Sequence, residues 1–201
     1  MIELIKRIFS ITIEYVAFTK NASSEFLEKS NEVAGGNLLE LEWYDINNVP
    51  EAMKRLQKVN VLANQLMQEF EAANIIMFNK FLITVSGEHP FVVKIVAKKA
   101  SERVVEEVNK TNLIFGVYQK IIHESNSFFD FLLSLSGHYA VTENEILFED
   151  DDDIREYTER LNKIEEFRQQ LFALERYNRK LVEQNLRALE IEIFNHSGSE
   201  A

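Results

Sequence analysis

The chain has no cysteine, two prolines and six glycines in 201 residues. Each scarcity excludes something. Without cysteine there is no disulfide, no thiolate metal site and no cysteine nucleophile. The few helix breakers fall together: Gly35 and Gly36 lie before Pro50, Gly87 is followed by Pro90, Gly137 stands alone and Gly198 is near the end. Only Gly116 falls inside one of the long stretches between them. No apolar run approaches the roughly 18 residues of a membrane-spanning helix. A basic surplus is also missing. The formal net charge is -11, which disfavours nucleic acid or an anionic membrane surface as a partner, since both are held by clustered Lys and Arg.

What is present is helical periodicity. Apolar residues are 46% of the chain and charged residues 27%, interleaved, which suits a single domain over 1–201 with one continuous core. Residues 2–33 carry Ile2, Ile5, Ile8, Phe9, Val16 and Phe18 at helical spacing. Their polar strip is narrow, so this helix is expected to be buried on more than one side, with Gly35-Gly36 as its stop. Lys6 and Arg7 before an apolar run resemble the start of a signal peptide. Glu14 breaks that run and no small-residue cleavage site follows, so the segment reads as part of the fold, and the expected compartment is cytoplasmic. Peripheral membrane contact through residues 2–18 is the alternative use of the same pattern.

A second helix is expected over 50–85, with Pro50 in the first turn and Val59, Leu62, Leu66, Phe70, Ala73, Met77 and Phe81 at steps of three and four. A third, over 90–135, is traced by Val93, Ala97, Ala100, Val104, Val108, Phe115, Tyr118, Ile122, Phe129 and Leu132, with Thr111 and Ser125 filling two steps. The run FVVKIV also has strand composition, but the stripe holds phase across it, which favours helix. A fourth, over 153–194, repeats Ile154, Tyr157, Leu161, Ile164, Phe167, Leu171, Leu174, Tyr177 and Leu181, with opposite charges four apart such as Glu159 with Lys163 and Glu183 with Arg187. The fold class is therefore all-α: an antiparallel up-down-up-down four-helix bundle of long helices.

In that topology connectors 34–49 and 137–152 lie at the same pole and form an acidic cap. Residues 34–49 and 137–153 together hold ten of the eleven excess negative charges. The opposite pole gathers Ile2, Leu4, Ile5, Ile83, Val85, Phe91, Val92, Ile191, Ile193 and Phe194. LELEW and YAV…EILF alternate, so short strands could pair across the cap; irregular loop, or a helix capped by Thr142 with Glu145, fits the same residues.

The candidate sites are few. The run Asp150, Asp151, Asp152, Asp153 has the oxygen ligands of a divalent cation site, but it equally caps the fourth helix and faces its dipole. None of the four histidines has Glu three positions before it, so the di-iron carboxylate pattern is missing. His123-Glu124-Ser125 are about 100° apart on a helix and cannot form a relay. No catalytic residue and no cofactor are assigned. Trp43, Tyr44 and Tyr139, with Asp150, Asp151 and Asp152, form a candidate partner surface; alternatively the aromatics seal the core. Phe128, Phe129, Phe131, Leu132 and Leu133, like Ile75, Ile76, Met77 and Phe78, point all around their helices and need extra cover: connectors, a further helix, or a second chain. The expected function is a non-enzymatic adaptor or scaffold with a protein partner or a homodimer. The alternative is a small-molecule-binding or sensory bundle with an apolar pocket near Phe70, Phe115 and Phe129.

Overall fold

A computed structural model of the protein describes residues 2–35 and 37–197, with side chains at 3–35, 37–178 and 180. Four long helices dominate: α1 (Ile2–Ala34), α2 (Val49–Val85), α3 (Pro90–Ser134) and α4 (Asp151–Ser197). They span about 50–70 Å each at 1.5 Å per residue. The protein is an all-α four-helix bundle in which each helix packs on its neighbours in sequence: α1 on α2, α2 on α3, α3 on α4. Opposed pairs such as Tyr15–Asn74 and Glu14–Lys80 show α1 and α2 running antiparallel.

On α2 and α3 the expected stripes face the core, whereas Ile154 and Tyr177 of the stripe expected on α4 are exposed. Leu66, Met77 and Phe81 of α2 and Ala100, Phe115, Ile122, Ser125, Phe129 and Leu132 of α3 are all buried. FVVKIV lies in α3, which runs unbroken through Gly116. α1 departs from expectation. It buries a single stripe, including Ile11, Ala22 and Phe26, and leaves Ile5, Ile13, Phe18 and Leu27 in solvent. The reason is topological: α1 packs substantially only against α2, with its inward edge reaching α3, so its second apolar face meets no helix among the described residues.

Three apolar clusters run down the bundle. Two are built by α1, α2 and α3: Ala22, Phe26, Ala63, Leu66 and Phe115 in the middle, and Ile11, Met77, Phe81 and Ala100 towards the far end. The largest lies at the cap pole and adds both connectors and α4 through Ile164. From there α4 runs along α3, with Lys163 bonded to Glu124 at 2.8 Å, Arg160 donating to the Ser127 Oγ at 2.7 Å, and Lys120 over the Phe167 ring. Lys163 thus pairs across helices, not with Glu159 as the four-residue spacing suggested. The Glu183–Arg187 pair lies outside the described side chains, as do Ile2, Ile191, Ile193 and Phe194 at the far pole. There Ile83 and Phe91 are exposed, while Val85 is fully buried.

Helix ends follow local chemistry. His89 Nδ1 accepts from Phe91 N, starting α3 directly before Pro90. Gly35 has φ +69°, the left-handed turn that stops α1, and its amide donates to Asn31 O at 2.9 Å. A Cβ there would run into the Arg55 guanidinium, which donates to Ala34 O at 3.1 Å. Gly35→Ala should therefore lower stability by about 1–2 kcal/mol. Gly116→Ala, in open space inside α3, should raise it by about 0.5–1 kcal/mol. Urea midpoints of the two variants should move in opposite directions.

Candidate functional site

The two connectors meet at one pole, where Tyr139 donates its hydroxyl to the Tyr44 carbonyl at 2.7 Å. The first connector is held by short polar bonds. Leu39 N donates to Asn37 Oδ1, Asn47 N to Asp45 Oδ1, and Asn48 Nδ2 to Glu42 O. Leu41–Trp43 form one 3-10 turn, not the strand that the LELEW alternation suggested, because those bonds keep the segment curled over the helix ends. The second connector does form strands. β1 (Tyr139–Val141) pairs antiparallel with β2 (Ile146–Phe148). The Thr142 hydroxyl donates to Glu145 O and accepts from Glu145 N, so this Thr–Glu pair closes a hairpin and caps no helix. Gly137, with φ +87°, lets the chain leave α3 towards the hairpin.

The aromatic candidates are engaged within the molecule. Tyr44 is 3% exposed, donates to Leu39 O at 2.7 Å, and meets Phe128 and Tyr157 edge-on. Trp43 is half-buried, with the Arg55 guanidinium 4.7 Å from its ring centre; Arg55 therefore joins Trp43 to the end of α1. Tyr139 is half-buried against Phe148. Burial pushes the Tyr139 phenol up to about 12, helped by the Asp45 carboxylate. Burial raises Tyr44 further, with Tyr157 adding to it. These side chains join the connectors to Phe128 and Phe129, which are completely covered. Phe131 and Leu132 are also buried here, so connectors and α4 supply the extra cover that the phenylalanine run requires.

The carboxylates form the outer skin of the pole. Glu40, Glu42, Glu143, Glu145, Glu149, Asp150, Asp151 and Asp152 are exposed, and Asp45 and Asp153 half-buried. Asp150 caps α4 by accepting from Asp152 N at 2.8 Å. Asp151, Asp152 and Asp153 occupy the first helical turn, at the positive end of its dipole. Among the described residues no three His, Asp or Glu side chains gather closely enough to hold a metal ion. His123 is exposed while Ser125 is buried, so the sequence neighbours face apart.

Sequence reasoning missed a groove between α1 and α2. It has a volume of about 410 Å³ and is lined by Ile11, Tyr15, Phe18, Ala73, Ile76 and Met77, among others. The signal was available: Ala72 and Ala73 are small residues beside Ile75 and Ile76, so the helices cannot fill the space between them. Behind the groove, Asn74 is 1% exposed; its Oδ1 accepts from Tyr15 and its Nδ2 has no partner. Phe70 packs edge-on against Phe115 and Phe18, whereas Phe129 belongs to the separate cap cluster. Among the described residues no helix is long and apolar enough to cross a membrane.

Comparison with known proteins gives no match among family models, curated proteins or solved structures.

Proposed function

We propose that this is a non-enzymatic helical-bundle protein that works by holding other protein, as an adaptor or scaffold. The observation that carries the reading is the large apolar surface left on the helix flanks. Ile75, Ile76 and Ile83 of α2 and Phe91 of α3 are each more than half exposed, and an apolar groove runs beside Ile76. Contiguous exposed apolar surface rimmed by polar groups is characteristic of protein contact sites, and a groove between helices accepts an amphipathic segment. The acidic pole steers basic partners towards the molecule and raises the association rate more than the affinity. Because Tyr44 and Tyr139 spend their hydroxyls on the cap and the Trp43 ring packs under Arg55, the flanks supply the contact area and Asp150, Asp151 and Asp152 supply the field.

The test is affinity capture with mass spectrometry, using wild type, Ile76→Glu, and a variant with Asp150–Asp153 changed to Asn. Ile76→Glu should lose the captured protein. The Asn variant should bind more slowly in low salt and normally in high salt. Capture unchanged by Ile76→Glu removes the flank from consideration, and identical low-salt kinetics remove the pole. A second reading, a small-molecule-binding or sensory bundle, draws on the groove volume, which falls in the range of ligand sites. It predicts a co-purifying apolar compound in native mass spectra, lost on Ala73→Phe.

A further inference from the structure

We infer that the pole opposite the acidic cap is a docking tip for an anionic membrane surface, on which the molecule stands end-on. The tip is distinct from the site of protein holding proposed above: Ile76 and the groove between α1 and α2 take no part in it.

Three helix ends meet at this pole: the start of α1, the end of α2 and the start of α3. The pairs Tyr15–Asn74 and Glu14–Lys80 set Ile5 level with the last turn of α2, and the four-residue link from Ser86 to His89 carries the chain straight into α3. A Cβ added at Gly87 in that link would meet nothing, so the link stands in open space. The end is apolar where it faces water. Ile83 and Phe91 are 72% and 66% exposed, and Ile5 and Ile95 are exposed as well. Side chains lean towards the start of their helix, so Phe91 and Ile5 lean out beyond the tip. The tip is built without the end of α4, whose side chains lie outside the described residues.

The charge around these side chains names the occupant. Residues 1–10 and 81–100 hold five Lys or Arg against two Glu, on a chain whose net charge is -11. Arg7 and Lys98 are engaged with Glu3 and Glu102. Lys6, Lys94 and Lys99 are exposed and make no ion pair among the described residues. Aliphatic and aromatic side chains set among unpaired lysines suit a bilayer interface: the apolar groups enter the boundary of the acyl chains and the lysines meet anionic headgroups. The acidic cap does not oppose this contact. It lies at the other end of α2, whose 37 residues span about 55 Å, many Debye lengths at physiological salt. The same separation orients the molecule, with the cap held away from an anionic surface.

Sedimentation with lipid vesicles tests the tip. In low salt the wild-type chain should pellet with phosphatidylcholine vesicles containing about 30% phosphatidylserine and stay in solution with phosphatidylcholine alone. Lys94→Gln combined with Lys99→Gln should weaken the partition by about 25-fold, and Phe91→Ser by about tenfold, each with an unchanged helical circular-dichroism spectrum. Ile76→Glu should bind vesicles as the wild type does, so the tip and the protein-holding flank fail or succeed separately. Orientation has its own readout. Trp43 is the sole tryptophan and packs in the cap cluster, so brominated lipid should leave its fluorescence unquenched, whereas Phe91→Trp should add an emission that brominated lipid quenches. A wild-type chain that stays in solution with the phosphatidylserine vesicles overturns the inference. So does equal binding to both kinds of vesicle, or quenching of Trp43. A chain that ignores vesicles but loses a captured protein on Phe91→Ser also overturns it, and makes the tip a protein contact.

Discussion

Phe128→Ala should lower the free energy of unfolding by about 3–5 kcal/mol, the cost of truncating a fully buried phenylalanine. Phe128 is 0% exposed. Its ring lies 5.0 Å from Tyr44, 5.6 Å from Phe129 and 5.7 Å from Tyr157, centre to centre. The first connector, α3 and α4 thus converge on one side chain. Its removal leaves a void that Tyr44 cannot fill, because Tyr44 is fixed at both its hydroxyl and its carbonyl. The loss should read out as a lower urea midpoint with little change in slope. The comparison is Ile75→Ala, which removes an exposed side chain and should stay within about 0.5 kcal/mol. Equal losses in the two variants would mean that the cap cluster does not organise the pole.

Alkaline pH should unfold the protein with an unusually steep dependence. Burial pushes the phenols of Tyr15 and Tyr118 up to about 12 from an ordinary 10, with the Glu107 and Glu175 carboxylates adding to the respective shifts. Tyr139 rises to about 12 as well, and Tyr44 and Tyr157 are raised for the same cause. Below the ordinary value both folded and unfolded chains hold these protons, and the tyrosines add no pH dependence to stability. Between about 10 and 12 the unfolded chain releases protons that the folded chain retains, so stability falls as pH rises. Each well-buried tyrosine contributes up to about 1.4 kcal/mol per pH unit in that window, and Tyr139, closer to water, contributes less. Urea titrations from below the ordinary tyrosine value up to about pH 12, followed by circular dichroism and tyrosinate absorbance, should show unfolding and phenol ionisation together. Tyr118→Phe should remove one such share of the slope. Tyrosines that ionise at their ordinary value without unfolding would show that these phenols reach water in the folded state.

Much of the fold was legible in the chain because the determinants were local. Pro50 and Pro90 stand in the first turns of α2 and α3, and Gly35 follows the end of α1. Each is a property of one residue's own backbone. The stripe through Val93, Phe115 and Leu132 outweighed the strand-like composition of FVVKIV because periodicity over a whole helix reports burial, whereas propensity over six residues is a weak signal. Small structure in the cap was harder. LELEW and YAV alternate alike, yet only YAV found a strand partner, since pairing depends on what lies alongside.

The candidate site was less legible for the same reason. Trp43, Tyr44 and Tyr139 are correctly placed at the acidic pole, but their depth depends on Arg55, Leu39 and Phe128, which reach them from elsewhere in the chain. The groove beside Ile76 exists only because α1 lies where Ala72 and Ala73 leave room.

By itself the sequence determined four helices, their ends, and the gathering of nearly all excess negative charge on two connectors, because breakers, periodicity and charge are read residue by residue. Only the tertiary structure decided that Phe128 is sealed while Ile76 stands in water, that α1 keeps an open apolar face, and that Lys163 reaches across to Glu124. Each of these depends on which distant segment arrives alongside, and burial and pairing energies arise only once it is there.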